Sequence, residues 1–261
     1  MEAEYDAANE CRERTMTSQG VAAVDRALTI LRAFEGDNDP EPLTLAALAR
    51  RTGLYKSTML RLMVSLQAFG YIVQLPDGRY HLGPTPFRLG SLYQRGNRLY
   101  DHVMPVLREL VARGTESGSF HIRHDEKLRL CVLRVDSQHA TLDRVCAGAL
   151  LPLHRGASGT TILAFDSDES GEKYQAARQT FSAVSYGERD PDCAGISSPV
   201  FGADNRLVGA LSVSGPKSRF TDENVRRMSA LVLDAAMRVT RVLGGRNDAM
   251  AARAERLVQP A

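Results

Sequence analysis

Along the first third of the chain, apolar positions repeat at helical spacing. Val21, Val24, Leu28, Leu31 and Phe34 predict a helix that ends before GDNDPEP, a cluster of turn formers. Residues 1–19 are polar, show no period and read as a disordered arm. A second helix follows Leu43, with Thr44 as its N-cap and Gly53 closing it. A third runs from about Tyr55 to Phe69 and stops at Gly70. Met59, Leu62, Met63, Leu66 and Phe69 form its expected buried stripe. Ser57, Thr58, Arg61 and Ser65, also three or four apart, share the opposite side. YIVQL, the turn PDG and RYHLG then read as a two-stranded hairpin. Three helices and a hairpin over residues 20–83 outline a winged helix-turn-helix.

Residues 84–116 keep a helical pattern with a break near Gly96 and Asn97, and read as linker helices between two domains. Leu99, Val103, Val106, Leu107 and Leu110 supply the apolar face after the break. Over 117–245 the texture changes to short strand candidates at 119–123, 128–135, 142–147, 181–185, 196–201 and 207–214, with a short helix starting near Ala157. In VGALSVSGP, alternation puts Leu207, Gly209, Leu211 and Val213 on one face and Val208, Ala210, Ser212 and Ser214 on the other. A long helix follows, capped by Thr221 and carrying Asp222 and Glu223 in its first turn, where the helix dipole favours them. Val225, Met228, Val232, Ala235, Val239 and Val242 make its stripe, and residues 246–261 lose the pattern as a fraying tail. The second domain is therefore expected to be α+β, a sheet with flanking helices.

Composition narrows the partners. At 261 residues there is room for two domains, and a net charge of +2 means that any basic site is local. No apolar run approaches the ~20 residues of a membrane span, and the N-terminus lacks the apolar core of a secretion signal. The four cysteines, at 11, 131, 146 and 193, show no paired spacing, which fits free thiols in a reducing cytosol. A soluble cytoplasmic protein with no membrane partner is expected.

The local basic site falls on the helix-turn-helix. Between residues 42 and 80, Arg50, Arg51, Lys56, Arg61 and Arg79 face the single acid Asp77. A recognition helix in the major groove needs short polar or basic side chains near its N-terminus, which Lys56, Ser57, Thr58 and Arg61 provide. Arg61 can donate two hydrogen bonds to guanine, Ser57 and Thr58 can bond phosphate, and Arg79 on the wing suits a phosphate or minor-groove contact. Arg50 and Arg51 alone fit a solvated face equally well. The whole constellation favours double-stranded DNA over a solvated or protein-binding face.

Candidate chemistry in the second domain is sparse. His121, His124, Cys131 and Cys146 match no standard zinc spacing, and neither metal nor cofactor is expected. There is no G-x-S-x-G elbow, P-loop or G-x-G-x-x-G. Ser158 in GASGTT has no evident base and acid partners, so the segment reads as a tight turn into a helix whose N-terminus can hold an anion. The small-residue face with Ser212 and Ser214 can line a polar cavity or be a solvated sheet face. Alternation alone leans to the second.

Taken in order, VDRALTILRAF, LARRTGLYKSTMLRLMVSL, FGYI…DGRYHLG, LLPLHRGASGTTILAF, ISSPVF and LVGALSVSGPKSRFT resemble the IclR-type (isocitrate lyase regulator) transcription factors over about residues 20–244. The resemblance implies an N-terminal winged helix-turn-helix, a linker helix and a GAF-like effector-binding domain. It also implies a homodimer or a dimer of dimers, regulating catabolic or stress genes in response to small carboxylate or aromatic metabolites. By motif position it places Ala157, Ser158, Ser212 and Ser214 around the effector, offering hydroxyls and backbone N–H groups to a carboxylate. A ligand would act by favouring one spacing of the two DNA-binding heads, set by the linker helices.

Three departures stand out. Gly195 occupies a position where some members carry cysteine, with Cys193 two residues earlier. An acidic residue upstream is replaced near Ser185. The interval between Phe165 and Phe181 looks shorter than usual, as if a peripheral helix were trimmed. The rival readings are a hydrolase-like or metal-binding enzyme with an accessory helical module, and a ligand-binding protein whose helical module contacts another protein.

Overall fold

The structure, a computed structural model, describes residues 20–35, 41–96 and 98–258. The expected arm 1–19 with Cys11, part of the turn cluster after Phe34, Asn97 and residues 259–261 lie outside the described residues. The chain divides after Gly96 into two compact units.

In the first unit, α1 (Ala22–Arg32), α2 (Leu45–Thr52) and α3 (Lys56–Ala68) precede a hairpin of β1 (Ile72–Gln74) and β2 (Tyr80–Leu82), and α4 (Pro84–Gly96) ends the unit. The Thr44 hydroxyl accepts the Ala47 N–H at 3.1 Å, and Gly53 at φ +67° closes α2 as the sequence required. Met59, Met63 and Leu66 of α3 pack with Leu48, Ile72 and Tyr80, with Leu62 alongside. Phe69, expected in that stripe, is 73% exposed, because it follows the last helical residue. The α1 stripe is also rotated. Ile30 and Ala33 enter the core, whereas Val21, Val24 and Leu28 stay exposed. Apolar residues spread widely around this helix, and contact with α3 selects the Ile30 side. Ile72 pairs with Leu82 in an antiparallel hairpin, and Leu43 bridges Tyr80 on its other edge. Gly83 closes the wing against α3's end, where an added Cβ would lie 2.2 Å from the Gly70 carbonyl oxygen.

The second unit is a six-stranded antiparallel sheet in the order β5-β4-β3-β8-β7-β6. Its strands are β3 (Ser117–Arg123), β4 (Leu128–Val135), β5 (Leu150–Pro152), β6 (Ala183–Tyr186), β7 (Cys193–Phe201) and β8 (Leu207–Pro216). One face is covered by α5 (Arg98–Ala112), α8 (Asp222–Val242) and α9 (Asp248–Val258), with Val103, Leu107, Met228, Val232, Val239 and Met250 in the core. The other carries α6 (Ala157–Asp166) and α7 (Glu172–Thr180) over Leu153, Ile162, Ala183 and Ala210. The Thr221 hydroxyl caps α8, accepting the Asn224 N–H at 3.3 Å. This is the winged-helix plus α+β architecture expected from the sequence.

Three local expectations are corrected. Residues 142–147 form a loop instead of a strand, because Asp143 turns inward to charged and hydroxyl partners and the Cys131 backbone pairs with Gly148 and Ala149. The edge strand is instead β5. The interval between Phe165 and Phe181 contains α7, held through Tyr174 and Ala177. The fraying tail is helical over Asp248–Val258 and anchored by the buried Met250. Finally, a register shift between Val200 and Phe201 exchanges the faces at the start of β8: Leu207 packs with Ala210, and Val208 packs with Leu211 and Val213.

Candidate functional site

The first unit presents a polar helix face. No side chain caps the start of α3. Lys56, Ser57, Arg61 and Ser65 are exposed along it, and Thr58 is half-buried. Leu60 and Val64 share the exposed side, which therefore also offers apolar contacts. Arg50 is exposed, whereas Arg51 donates from Nη1 to the Ala33 carbonyl at 2.9 Å, fastening α2 to the C-terminal end of α1. Arg79 is engaged within the wing: Nε donates to Asp77 Oδ2 at 2.7 Å, and its backbone N–H donates to Oδ1 at 3.0 Å. Those bonds, the backbone one first, hold the Asp77 carboxyl below its ordinary range.

The second unit contains a cleft, partly open to solvent and with about 40 Å³ of enclosed space, on the α6 side of the sheet. Ala157, Ser158, Ser185, Gly195, Ser212 and Ser214, separated by up to 57 positions in sequence, all line it. Register explains the convergence. Ser185 lies opposite Gly195, Gly195 opposite Ser214, and Ser119 opposite Ser212, so one sheet face is paved with small side chains. The α6 N-terminus is aimed at this floor: Gly156, at φ +81°, turns the chain into the helix, a conformation glycine tolerates. Gly159 permits the close fit of α6, since a Cβ there would lie 2.1 Å from the Leu153 carbonyl oxygen.

Several of the hydroxyls are already engaged. Ser212 donates to the Ile196 carbonyl at 2.9 Å, and Ser214 donates to Asp143 at 2.6 Å. Ser185 accepts the Ala157 N–H at 2.8 Å, and Glu188 accepts the Gly156 N–H at 2.8 Å. Asp143, with a fully buried carboxylate, also pairs with Arg134 and lies 3.6 Å from Arg189.

Four charged lining residues escaped the sequence, Arg129, Glu188, Arg189 and Asp190, and a fifth titratable one, His121, was weighed there only as a metal ligand. In LRLCVL, Arg129 falls on an alternate position that ordinarily reads as solvent-facing, yet it is only 2% exposed. Its Nη1 donates to the Pro152 carbonyl and, at 2.8 Å, to that of Arg155, while Nε has no partner. Burial, then the neighbouring Arg189, lowers its guanidinium to about 10. His121, considered above only as a metal ligand, is 3% exposed; Nε2 lies 2.9 Å from Ser119 Oγ and Nδ1 is unpartnered. Burial, reinforced by Arg129, Arg134 and Arg189, pushes the imidazole well below its usual range and keeps it neutral. Cys193 also lines the cleft, and burial, followed by Asp190, raises its thiol away from the reactive thiolate.

The cleft can therefore hold a small anion against a buried guanidinium, a neutral imidazole and a helix N-terminus. Comparison with known proteins agrees with both units. Residues 23–76 match the family described as the IclR helix-turn-helix domain, and residues 173–241 match the bacterial transcriptional regulator IclR C-terminal family. The chain is 27% identical over 259 residues to the HTH-type transcriptional regulator BhcR of Paracoccus denitrificans, covering 89% of this chain and 91% of that one. It is 26% identical over 251 residues to the transcriptional repressor IclR of Escherichia coli, covering 86% and 91%. The crystal structure of a putative IclR transcriptional regulator from Silicibacter sp. TM1040 superposes with a TM-score of 0.73 at 26% identity, covering 86% of this chain and 97% of that one.

Proposed function

The chain belongs to the IclR family of bacterial transcriptional regulators, and on that premise we propose that α3 and its wing bind operator DNA while a small organic acid in the cleft modulates the binding. On α3, Arg61 reads a base edge, and Lys56, Ser57, Thr58 and Ser65 set the register on the backbone, with Arg50 and Arg51 near the phosphates. Arg79 adds the wing contact after exchanging Asp77 for phosphate.

The observation that carries the effector reading is Arg129. A guanidinium that is 2% exposed with an unused donor needs an anionic neighbour, since burying an incompletely paired charge costs several kcal/mol. A carboxylate placed against it also lies by the α6 N-terminus and Ser158, while Ser212 and Ser214, already donating to Ile196 and Asp143, line the wall. The enclosed part of the cleft is small, about 40 Å³, which favours a compact acid over a bulky one. The protein acts as a homodimer or a dimer of dimers, a state supported by the exposed Phe87, Leu89, Leu92 and Tyr93 on α4. No helix among the described residues is long and apolar enough to cross a membrane, which supports a cytoplasmic site of action. The hydrolase-like and metal-binding readings have no support: the relatives are regulators, and the cleft already explains why Ser158 and His121 lie where they do.

Gel-shift titration against the DNA upstream of the protein's own gene tests this reading. It expects salt-sensitive, sequence-preferring binding that a small carboxylate alters. Binding indifferent to both salt and sequence overturns it.

A further inference from the structure

The Glu188 carboxylate already sits where a ligand's carboxylate is expected. Its Oε2 accepts the Gly156 N–H at 2.8 Å, immediately ahead of α6, beside the Ala157 N–H held by Ser185. The helix end does not define this seat alone. Arg129, 2% exposed, lines the same cleft with Nε unpartnered, and its Nη2 lies 3.5 Å from where a Cβ on Gly156 would project. His121, 3% exposed, lines the cleft with Nδ1 unpartnered. The buried Arg129 guanidinium beside the Gly156 turn makes this a position that favours an anion, and Glu188, whose charge supports that of Arg129, supplies one.

Glu188 is delivered by the turn that joins β6 to β7. Gly187 enters that turn at φ +67°, and the turn's Arg189 lies 3.6 Å from Asp143. The carboxylate thus comes from a surface connection instead of from the sheet or a helix, and such segments rearrange at less cost than core elements.

We propose that Glu188 is a built-in occupant of the cleft's carboxylate seat, which an effector carboxylate displaces, taking over the Gly156 N–H and the Arg129 charge. The proposal rests on the effector reading and sharpens it in two ways. The effector is an anion able to replace one carboxylate with another, so that the charge balance around Arg129 is preserved. A neutral amide or alcohol of the same shape cannot do this. Displacement also releases the turn, giving the cleft filled and unfilled arrangements that differ in structure and can bias a downstream equilibrium. Self-occupancy lowers apparent affinity in proportion to the fraction of protein with the seat filled.

The test is chemical rescue on the full chain, with sodium acetate as the probe and sodium chloride at equal ionic strength as the control. Glu188→Ala should lower the thermal midpoint, and acetate should raise it again in the variant while leaving wild type almost unmoved. Equal acetate shifts in both proteins, or none in the variant, overturn the proposal. Should the alanine variant fail to fold, Glu188→Gln serves: a neutral occupant is displaced more easily, so acetate should raise its thermal midpoint where wild type stays almost unmoved. A shift no larger than that of wild type overturns the proposal. The measurement contains no DNA, so loss of operator binding would sink the regulatory reading without touching this result, and failed rescue would leave operator binding intact.

Discussion

The Asp143 carboxylate accepts the Ser214 hydroxyl at 2.6 Å and pairs through its other oxygen with Arg134, whose side chain is 5% exposed. Burial alone would lower the Arg134 guanidinium, but Asp143 and Asp136 outweigh it and hold it above its ordinary value. Asp143 therefore links the loop 136–149 to the wall of the cleft. Asp143→Ala leaves Arg134 with only its exposed-side partner Asp136 and removes Ser214's acceptor. The expected loss is about 3 kcal/mol, since breaking a buried pair strands a charge. Urea unfolding near neutral pH measures it, and a loss within experimental scatter would show the pair to be dispensable.

On DNA, Arg61→Ala should weaken specific binding by about 1–3 kcal/mol while leaving non-specific binding nearly intact. Equal losses on operator and random DNA would demote Arg61 to a phosphate contact.

Arg79 behaves differently because Asp77 already holds it at 2.7 Å. Asp77→Asn should release the guanidinium and remove a negative charge from the wing. The expected result is tighter binding to any duplex and a steeper dependence on salt. Gel shifts at two ionic strengths decide it, and weaker binding would mean that the Asp77 bond positions Arg79 for DNA.

Much of this was legible because it is local. Thr44 and Thr221 cap their helices, Gly53 closes α2, and Met59, Met63 and Leu66 fall on one side of α3, all from spacing and residue type. Ala157, Ser158, Ser212 and Ser214 were named from motif positions and Ser185 and Gly195 as departures from the motif, and strand register with the start of α6 brings all six to one cleft. What escaped depends on partners distant in sequence. Asp143 in its loop reads as an ordinary polar residue until Arg134 and Ser214 surround it. Arg129 looks solvent-facing until α6 and the turn after β6 cover it. The face of α1 is chosen by α3, and the exchange of Leu207 and Val208 follows from a single register shift.

His121 gives a pH dependence whose sign is fixed by its burial. The folded value lies well below the ordinary 6.5, so above that pH the residue is neutral in both states and takes nothing from stability. As pH falls below 6.5, the unfolded chain takes up a proton that the native state refuses. Stability should then decline by up to about 1.4 kcal/mol per pH unit from this residue. His121→Gln should flatten that acid limb in urea midpoints compared across neutral and mildly acidic pH. An unchanged slope would assign the limb to other groups.

Gly159 and Gly195 both lie by the cleft, yet they should respond to alanine with opposite signs. A Cβ at Gly159 would meet the Leu153 carbonyl oxygen at 2.1 Å and Arg129 Nη1 at 3.1 Å, so α6 must lift from the sheet. Overpacking of this kind costs about 1–3 kcal/mol, and here the obstacle is backbone, which yields least. A Cβ at Gly195 would meet Val213 O at 3.4 Å, Ser214 Cβ at 3.6 Å and Ala157 Cβ at 3.8 Å, all ordinary contacts. Gly195→Ala therefore fits, and by restricting the unfolded chain it should stabilise by about 0.4–1 kcal/mol. The added methyl also projects between Ala157 and Ser214, narrowing the seat for a carboxylate while leaving the Glu188 contact to Gly156 in place. Thermal midpoints should fall for Gly159→Ala and hold or rise for Gly195→Ala. The reverse order would mean that α6 does not sit on the sheet as described.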